Sequence, residues 1–284
     1  MSSSSSVKLT RRGVWVLACA GVLAVVAVIA GIASLTGGDG PKHRQLSGPT
    51  STTPAYFLSG SATGTRLYAE PHSVRGDGDA KVLAALRELT TNHGPDDPDY
   101  TTVWPKKSFA SASVGKDSIV VGLGGRATGR AQGISPAQAV LGLQQVVWTA
   151  DAAAGSDLPV EFTGSATALG MALTGAVRRD ESFGLVAPVD LSSVAEGASF
   201  SGTLTAGGTV SGDVTSVAWK LTGPKHQVIR SGTAQAQDVS WSTGSVDLTS
   251  VNPGSYVLVA DAGSTGQTSA SRGNYSDTRN VQVK

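Results

Sequence analysis

The chain has almost no cysteine, no excess of either charge and few aromatic side chains. A single thiol, Cys19, cannot close an internal disulfide or build a Cys-based zinc site, so its folded parts must be held by packed cores. The 22 basic and 21 acidic residues leave a net charge of +1, which gives no electrostatic reason to expect nucleic acid as a partner. Only four histidines occur, His43, His72, His93 and His226, in tether or loop-like sequence and with no pairing at metal-ligand spacing. Serine is abundant, yet no Gly-x-Ser-x-Gly elbow appears. The expectation is a protein that is not an enzyme, with no catalytic, cofactor-binding or metal-binding residue to assign.

What is present first is a greasy run. Gly13 to Leu35 is 23 residues long without a charged side chain, and Arg11 and Arg12 stand directly before it. At about 1.5 Å per residue it can span a hydrocarbon core of roughly 30 Å as a helix, whereas the apolar region of a cleaved signal is about 7 to 15 residues. Lys8, Arg11 and Arg12 outnumber Lys42 and Arg44, which places residues 1–12 in the cytoplasm and everything after the span outside. The span is thus read as a single anchor in the cytoplasmic membrane. Val16-Leu17-Ala18-Cys19 has the outline of a lipoprotein box. Sixteen residues of the run follow Cys19, however, and cleavage there would leave most of the apolar segment on the mature chain. Thr10-Arg11-Arg12 has the outline of a twin-arginine signal, but a basic pair before a span is already expected from topology.

Residues 36–53 hold several prolines and glycines and a single large aliphatic, Leu46, and read as a tether. Beyond it, Ala55-Tyr56-Phe57-Leu58 and Thr65 to Glu70 read as strands, the second stopped by Pro71. A helix follows over Asp79–Thr91, with Asp79 as N-cap and Val82, Leu83, Leu86 and Leu89 at helical spacing. Lys107–Ser113 and Asp117–Leu123 suit a hairpin. Ser135-Pro136 opens a second helix to Ala154, with Val140, Leu143, Val147 and Ala150 on its apolar face. Val160 to Thr163 closes the unit. The order β-β-α-β-β-α-β predicts an α+β domain with helices on one sheet face, followed by a linker at 173–184.

The residues Ala55-Tyr56-Phe57-Leu58, the helix VLAALREL, the run VWPKKSFASASVGKDSIVVGL and the helix AQAVLGLQQVVWTA together resemble the GerM-type sporulation and germination domain, over residues 54–172. The resemblance implies a fold similar to the ring-building modules of bacterial envelope assemblies, a location outside the cytoplasmic membrane, and a binding or assembly role. It brings no catalytic residue. The family usually carries an aspartate in the strand after the hairpin, where this chain reads Val120-Val121-Gly122-Leu123, so that part of a family surface is not carried over.

Residues 185–284 read as short strands between turn residues, as an all-β sandwich requires. Val217, Trp219 and Leu221 alternate onto one face, which makes Trp219 the expected core anchor. Tyr256, after Asn252-Pro253-Gly254-Ser255, has the position of a tyrosine corner whose hydroxyl bonds back to nearby backbone. Ala218-Trp219-Lys220-Leu221, Asn252 to Tyr256 and the run from Asp277 to Val283 resemble the immunoglobulin-like domain that accompanies bacterial spore-germination proteins.

Other motifs weigh less. Gly122-Leu123-Gly124-Gly125-Arg126 lacks the third glycine of a dinucleotide loop and has no P-loop lysine, so a flexible loop is expected. Asp77-Gly78-Asp79 and Asp96-Asp97-Pro98-Asp99 lack the distal glutamate of a calcium loop and read as solvated turns. Glu70, Glu161 and distant aspartates would have to converge to cleave a glycan. Asn274-Tyr275-Ser276 is a formal glycosylation sequon. Two partner classes remain: envelope proteins or self-association, and the peptidoglycan of the cell wall. The second would use exposed aromatic platforms, with Trp104, Trp148 and Trp241 as candidates, Trp148 better suited to a core, and Trp104 the one to test.

Overall fold

The computed structural model describes residues 48–61, 64–180, 185–211, 214–262 and 276–284. The anchor at 13–35, Cys19, most of the tether with His43, the end of the linker and Asn274-Tyr275 of the sequon lie outside these. Among the described residues no helix is long and apolar enough to cross a membrane. The described residues fall in one compact unit, Gln45–Lys284, that contains two hydrophobic cores, one drawing on residues from Ala55 to Ala187 and the other on residues from Val189 to Val283.

The first part follows the expected element order. Strands β1 (Thr50–Ser61) and β2 (Gly64–Arg75) form a long antiparallel hairpin, then come helix α1 (Gly78–Glu88), strands β3 (Phe109–Val114) and β4 (Ile119–Leu123), helix α2 (Pro136–Ala154) and strand β5 (Val160–Thr163). β1 begins inside the expected tether. The described strands of this part do not form one sheet. The β1–β2 hairpin stands alone, and β3–β4–β5 form a second, three-stranded sheet in which β5 runs parallel to β4.

Pro71 does not stop its strand. It lies opposite Pro54 in the hairpin. Tyr56 and Leu58 turn their N–H groups away from β2, toward Thr149 Oγ1 at 3.0 Å and the Thr101 carbonyl at 2.9 Å. Leu67, opposite Leu58, turns its N–H outward to the Leu185 carbonyl at 2.8 Å. Residues 54 and 71 share that outward phase, so neither proline removes a ladder bond. The hairpin's outer edges are closed instead by side chains and single bridges: Gln145 donates to the Tyr56 carbonyl at 3.0 Å, and Ala187 donates to Leu67 at 2.8 Å.

The N-cap position of α1 falls on Asp77, whose side chain makes no capping bond, rather than on Asp79, which reaches across to accept the Val114 N–H at 2.7 Å. α2 starts as expected, at a capping box in which Ser135 Oγ accepts from Gln138 N at 3.2 Å and Gln138 returns the bond to Ser135 N at 2.9 Å. Its buried stripe is rotated from the expected one. Val140 is 42 % exposed, while Ala139, Leu143, Val146, Val147, Ala150 and Ala153 are buried. Gly142 sits in that stripe because a Cβ there would come within 2.5 Å of Leu169 Cδ1 and Val103 Cγ2.

After the small hairpin β6 (Thr167–Ala168) and β7 (Met171–Ala172), the rest of the described chain is all β: β8 (Ala198–Phe200), β9 (Thr203–Leu204), β10 (Gly207–Thr209), β11 (Ser216–Thr222), β12 (Val228–Gln235), β13 (Ser240–Ser242), β14 (Val246–Asp247), β15 (Gly254–Asp261) and β16 (Ser276–Val283). A five-stranded sheet runs β12-β11-β15-β16-β8, accompanied by the pairs β14–β9 and β10–β13. Trp219 is buried in this core. It lies against Gly232 of β12, where a Cβ would approach the indole to 2.8 Å. The Tyr256 hydroxyl donates to the Asn252 carbonyl at 2.6 Å, as the corner reading expected.

Candidate functional site

Glu70 and His72 are two residues apart on β2, so the pleat turns both to one face. Both are buried. His72 Nε2 lies 2.7 Å from Glu70 Oε2, and His72 Nδ1 faces Glu88 Oε2, at the end of α1, at 3.5 Å. His93 Nδ1 approaches the same Glu88 oxygen at 3.7 Å. The turn after α1 then closes over Glu70: the backbone N–H of Asp96 donates to Oε2 at 3.0 Å and that of Asp97 to Oε1 at 2.8 Å. Burial by itself would raise the Glu70 carboxyl, but the bonds from His72, Asp97 and Asp96 outweigh it and hold it below its usual range. Burial by itself would lower the His72 imidazolium, and the two glutamates outweigh that, lifting it to about 9. At neutral pH this is an imidazolium between two carboxylates.

The same turn carries a second, fully buried ionic group. Arg279 of β16 has no exposed surface, and its Nη1 donates to Asp97 Oδ2 at 2.7 Å, Tyr100 Oη at 2.8 Å and Asp277 Oδ1 at 2.9 Å. Its other nitrogens donate to the carbonyls of Val194 at 3.2 Å and Ala69, on the outer edge of β2, at 3.3 Å. Tyr100 donates to Asp277 Oδ1 at 2.5 Å, and Asp277 Oδ2 accepts the Leu191 N–H at 2.6 Å. Two carboxylates therefore share one guanidinium in a dry setting. Burial raises the Asp97 carboxyl to about 6, against the Asp99 N–H bond and Arg279, which lower it. Burial also raises Asp277. The donors and acceptors come from both cores, so this cluster clasps the first part of the chain to the all-β part.

Residues 54–164 match the family Germane, described as sporulation and spore germination. The match falls within the first folded part of the chain. Among solved structures, the tandem GerMN domains of the sporulation protein GerM from Bacillus subtilis are 14 % identical, with a TM-score of 0.33, over 50 % of this chain and 49 % of that one. The chain therefore spans about half the length of that structure. An engineered protein is 20 % identical, with a TM-score of 0.27, over 57 % of this chain and 40 % of its own. No curated protein matches the chain.

Within the Germane segment the structure rearranges the residues singled out from the sequence. Trp104 is not a surface platform. It is fully buried, and its Nε1 donates to the Gly142 carbonyl at 2.9 Å. Trp241, in the all-β part, is buried and donates to the Asp190 carbonyl at 3.0 Å. Trp148 is half-buried, with the Arg179 guanidinium over its ring at 4.5 Å. His72 belongs to a strand, not a loop, and Asp97 is buried rather than solvated. Glu161 is exposed on β5 and has no contact with Glu70 among the bonds described. The glycine-rich stretch serves packing, since a Cβ at Gly122 would strike Ser111 Oγ and one at Gly124 would strike the Lys107 carbonyl. The acid–histidine cluster was missed because Glu70 and His72 alone carry a readable spacing, while Glu88, His93 and Asp96 arrive through the packing of α1 and the turn after it.

Proposed function

We propose that this is a non-enzymatic, single-pass protein of the bacterial cell envelope, anchored by residues 13–35, which binds other envelope proteins in an assembly of the sporulation or germination type. The observation that carries the reading is the Arg279 clasp. A buried guanidinium shared by Asp97, Tyr100 and Asp277 fixes the Germane segment to the all-β part, so that the two present one surface of constant geometry rather than two independent modules. Such a unit suits a scaffold, in which the relative placement of binding surfaces is itself the function. The five-stranded sheet with its two accompanying strand pairs, the Trp219 anchor and the Tyr256 corner support an immunoglobulin-like sandwich for the second part. The peptidoglycan alternative loses support, because Trp104 and Trp241 are buried and the Trp148 ring is covered by Arg179.

The test is chemical crosslinking in intact cells, followed by purification through a C-terminal tag with and without muramidase digestion of the wall. Discrete protein adducts that survive digestion are expected, and the adduct identifies the partner. A protein that sediments with the wall, is freed by digestion and carries no protein adduct sinks the proposal in favour of glycan binding.

A further inference from the structure

We infer that Glu70, His72 and Asp96 form a binding site for a divalent transition-metal ion, with Zn2+ the ion their donors suit best. Each offers one ligand atom, and the three atoms lie within 4.8 Å of one another. One imidazole nitrogen with two carboxylate oxygens is a mixed donor set that zinc accepts and that calcium, which takes six to eight oxygens, does not favour.

The surroundings are arranged as a metal site requires. Glu70 cannot swing away, because the N–H groups of Asp96 and Asp97 hold both of its oxygens. The His72 ring is packed against Phe57, centroids 5.4 Å apart, and its Nδ1 faces Glu88 at 3.5 Å, which leaves Nε2 directed at Glu70. A carboxylate behind the far nitrogen of a ligating histidine is the arrangement that fixes the ring and raises its basicity toward a metal. Asp96 is exposed and opens the site to solvent, where water completes the coordination. The composition favours the same occupant, since three acidic side chains, Glu70, Glu88 and Asp96, surround the single ring of His72.

Binding replaces the proton on His72 Nε2 with the metal and releases one proton to solvent, with no change of oxidation state. The bound ion also fastens the turn that carries Asp97, one of the Arg279 partners. This site is independent of the envelope reading, since it concerns what the Germane segment binds and not which protein it meets.

The test is equilibrium dialysis of the full chain in detergent, stripped with a chelator, against zinc chloride at pH 7, with calcium chloride in parallel. Expected are one Zn2+ per chain and no calcium at the same concentrations. Asp96→Asn keeps the backbone N–H that supports Glu70 and should weaken zinc binding by at least about tenfold. His72→Gln should do the same. Should that variant fail to fold, Asp96→Asn decides. The double variant His43→Gln, His226→Gln should bind as the wild type does. Absence of saturable zinc binding, unchanged binding in Asp96→Asn, or loss in the double variant overturns the assignment.

Discussion

Replacing Arg279 by methionine removes the cation from a cluster that cannot hydrate what remains. The carboxylates of Asp97 and Asp277 would be left 2 % exposed each, and the carbonyls of Ala69 and Val194 would lose their donor. Methionine fills much of the stem volume, so the loss is mainly electrostatic. Removing one partner of a buried ion pair costs about 3–5 kcal/mol, and the upper end applies here because two carboxylates depend on one guanidinium. The cost should depend on pH in a definite direction. Asp97 already takes up its proton at about 6 with Arg279 in place. Without that cation both carboxyls rise further, so the folded variant binds protons more tightly than its unfolded chain and gains stability as pH falls. The assay is urea unfolding followed by tryptophan fluorescence at pH 7 and pH 5. Trp104 and Trp148 report on the first core and Trp219 and Trp241 on the second. The wild type should unfold in one transition. Arg279→Met should lose several kcal/mol at pH 7, visibly less at pH 5, and should separate into two transitions as the cores uncouple. A loss below about 1 kcal/mol at pH 7, or an equal loss at both pH values, would refute the claim that this ion cluster joins the two parts.

Two further outcomes follow from the same geometry. His72 in the folded chain holds its proton up to about 9, so its contribution to stability is complete below its ordinary value of 6.5 and disappears as pH rises from there to 9. A decline of at most about 3 kcal/mol across that window is expected for the metal-free wild type, and a flat profile for His72→Gln, measured as unfolding free energy against pH. Gly142→Ala should destabilise by about 1–3 kcal/mol in thermal unfolding, although alanine is the better helix former, because the added Cβ meets Leu169 and Val103 at 2.5 Å; a gain in stability would show that this packing is loose.

The sequence by itself determined the local elements. Ser135, Pro136 and Gln138 carry the start of α2 in their own side chains, and the alternation through Val217, Trp219 and Leu221 requires one face of a strand to be apolar. Such signals are read over a few neighbouring residues, so they survive without knowledge of the fold. Where the reading went astray, the deciding partner was remote. Whether Pro71 ends a strand depends on which way residue 71 points in the ladder, which is set by pairing with β1. Whether Trp104 faces solvent depends on α2, where the Gly142 carbonyl, 38 positions away, accepts the indole N–H.

The candidate site lay still further out of reach. Glu70 and His72 share a strand face by their spacing alone, but Glu88 and Asp96 meet them only because α1 packs along the hairpin and the next turn folds back over it. Arg279 is 182 residues from Asp97, and in the sequence it is one basic residue among 22. Only the tertiary structure brings them to 2.7 Å and excludes water around them, and burial is what makes an ordinary ion pair decisive. Local chemistry set which segments become strands and helices, while the environment of each charge was decided by what packed on top of it.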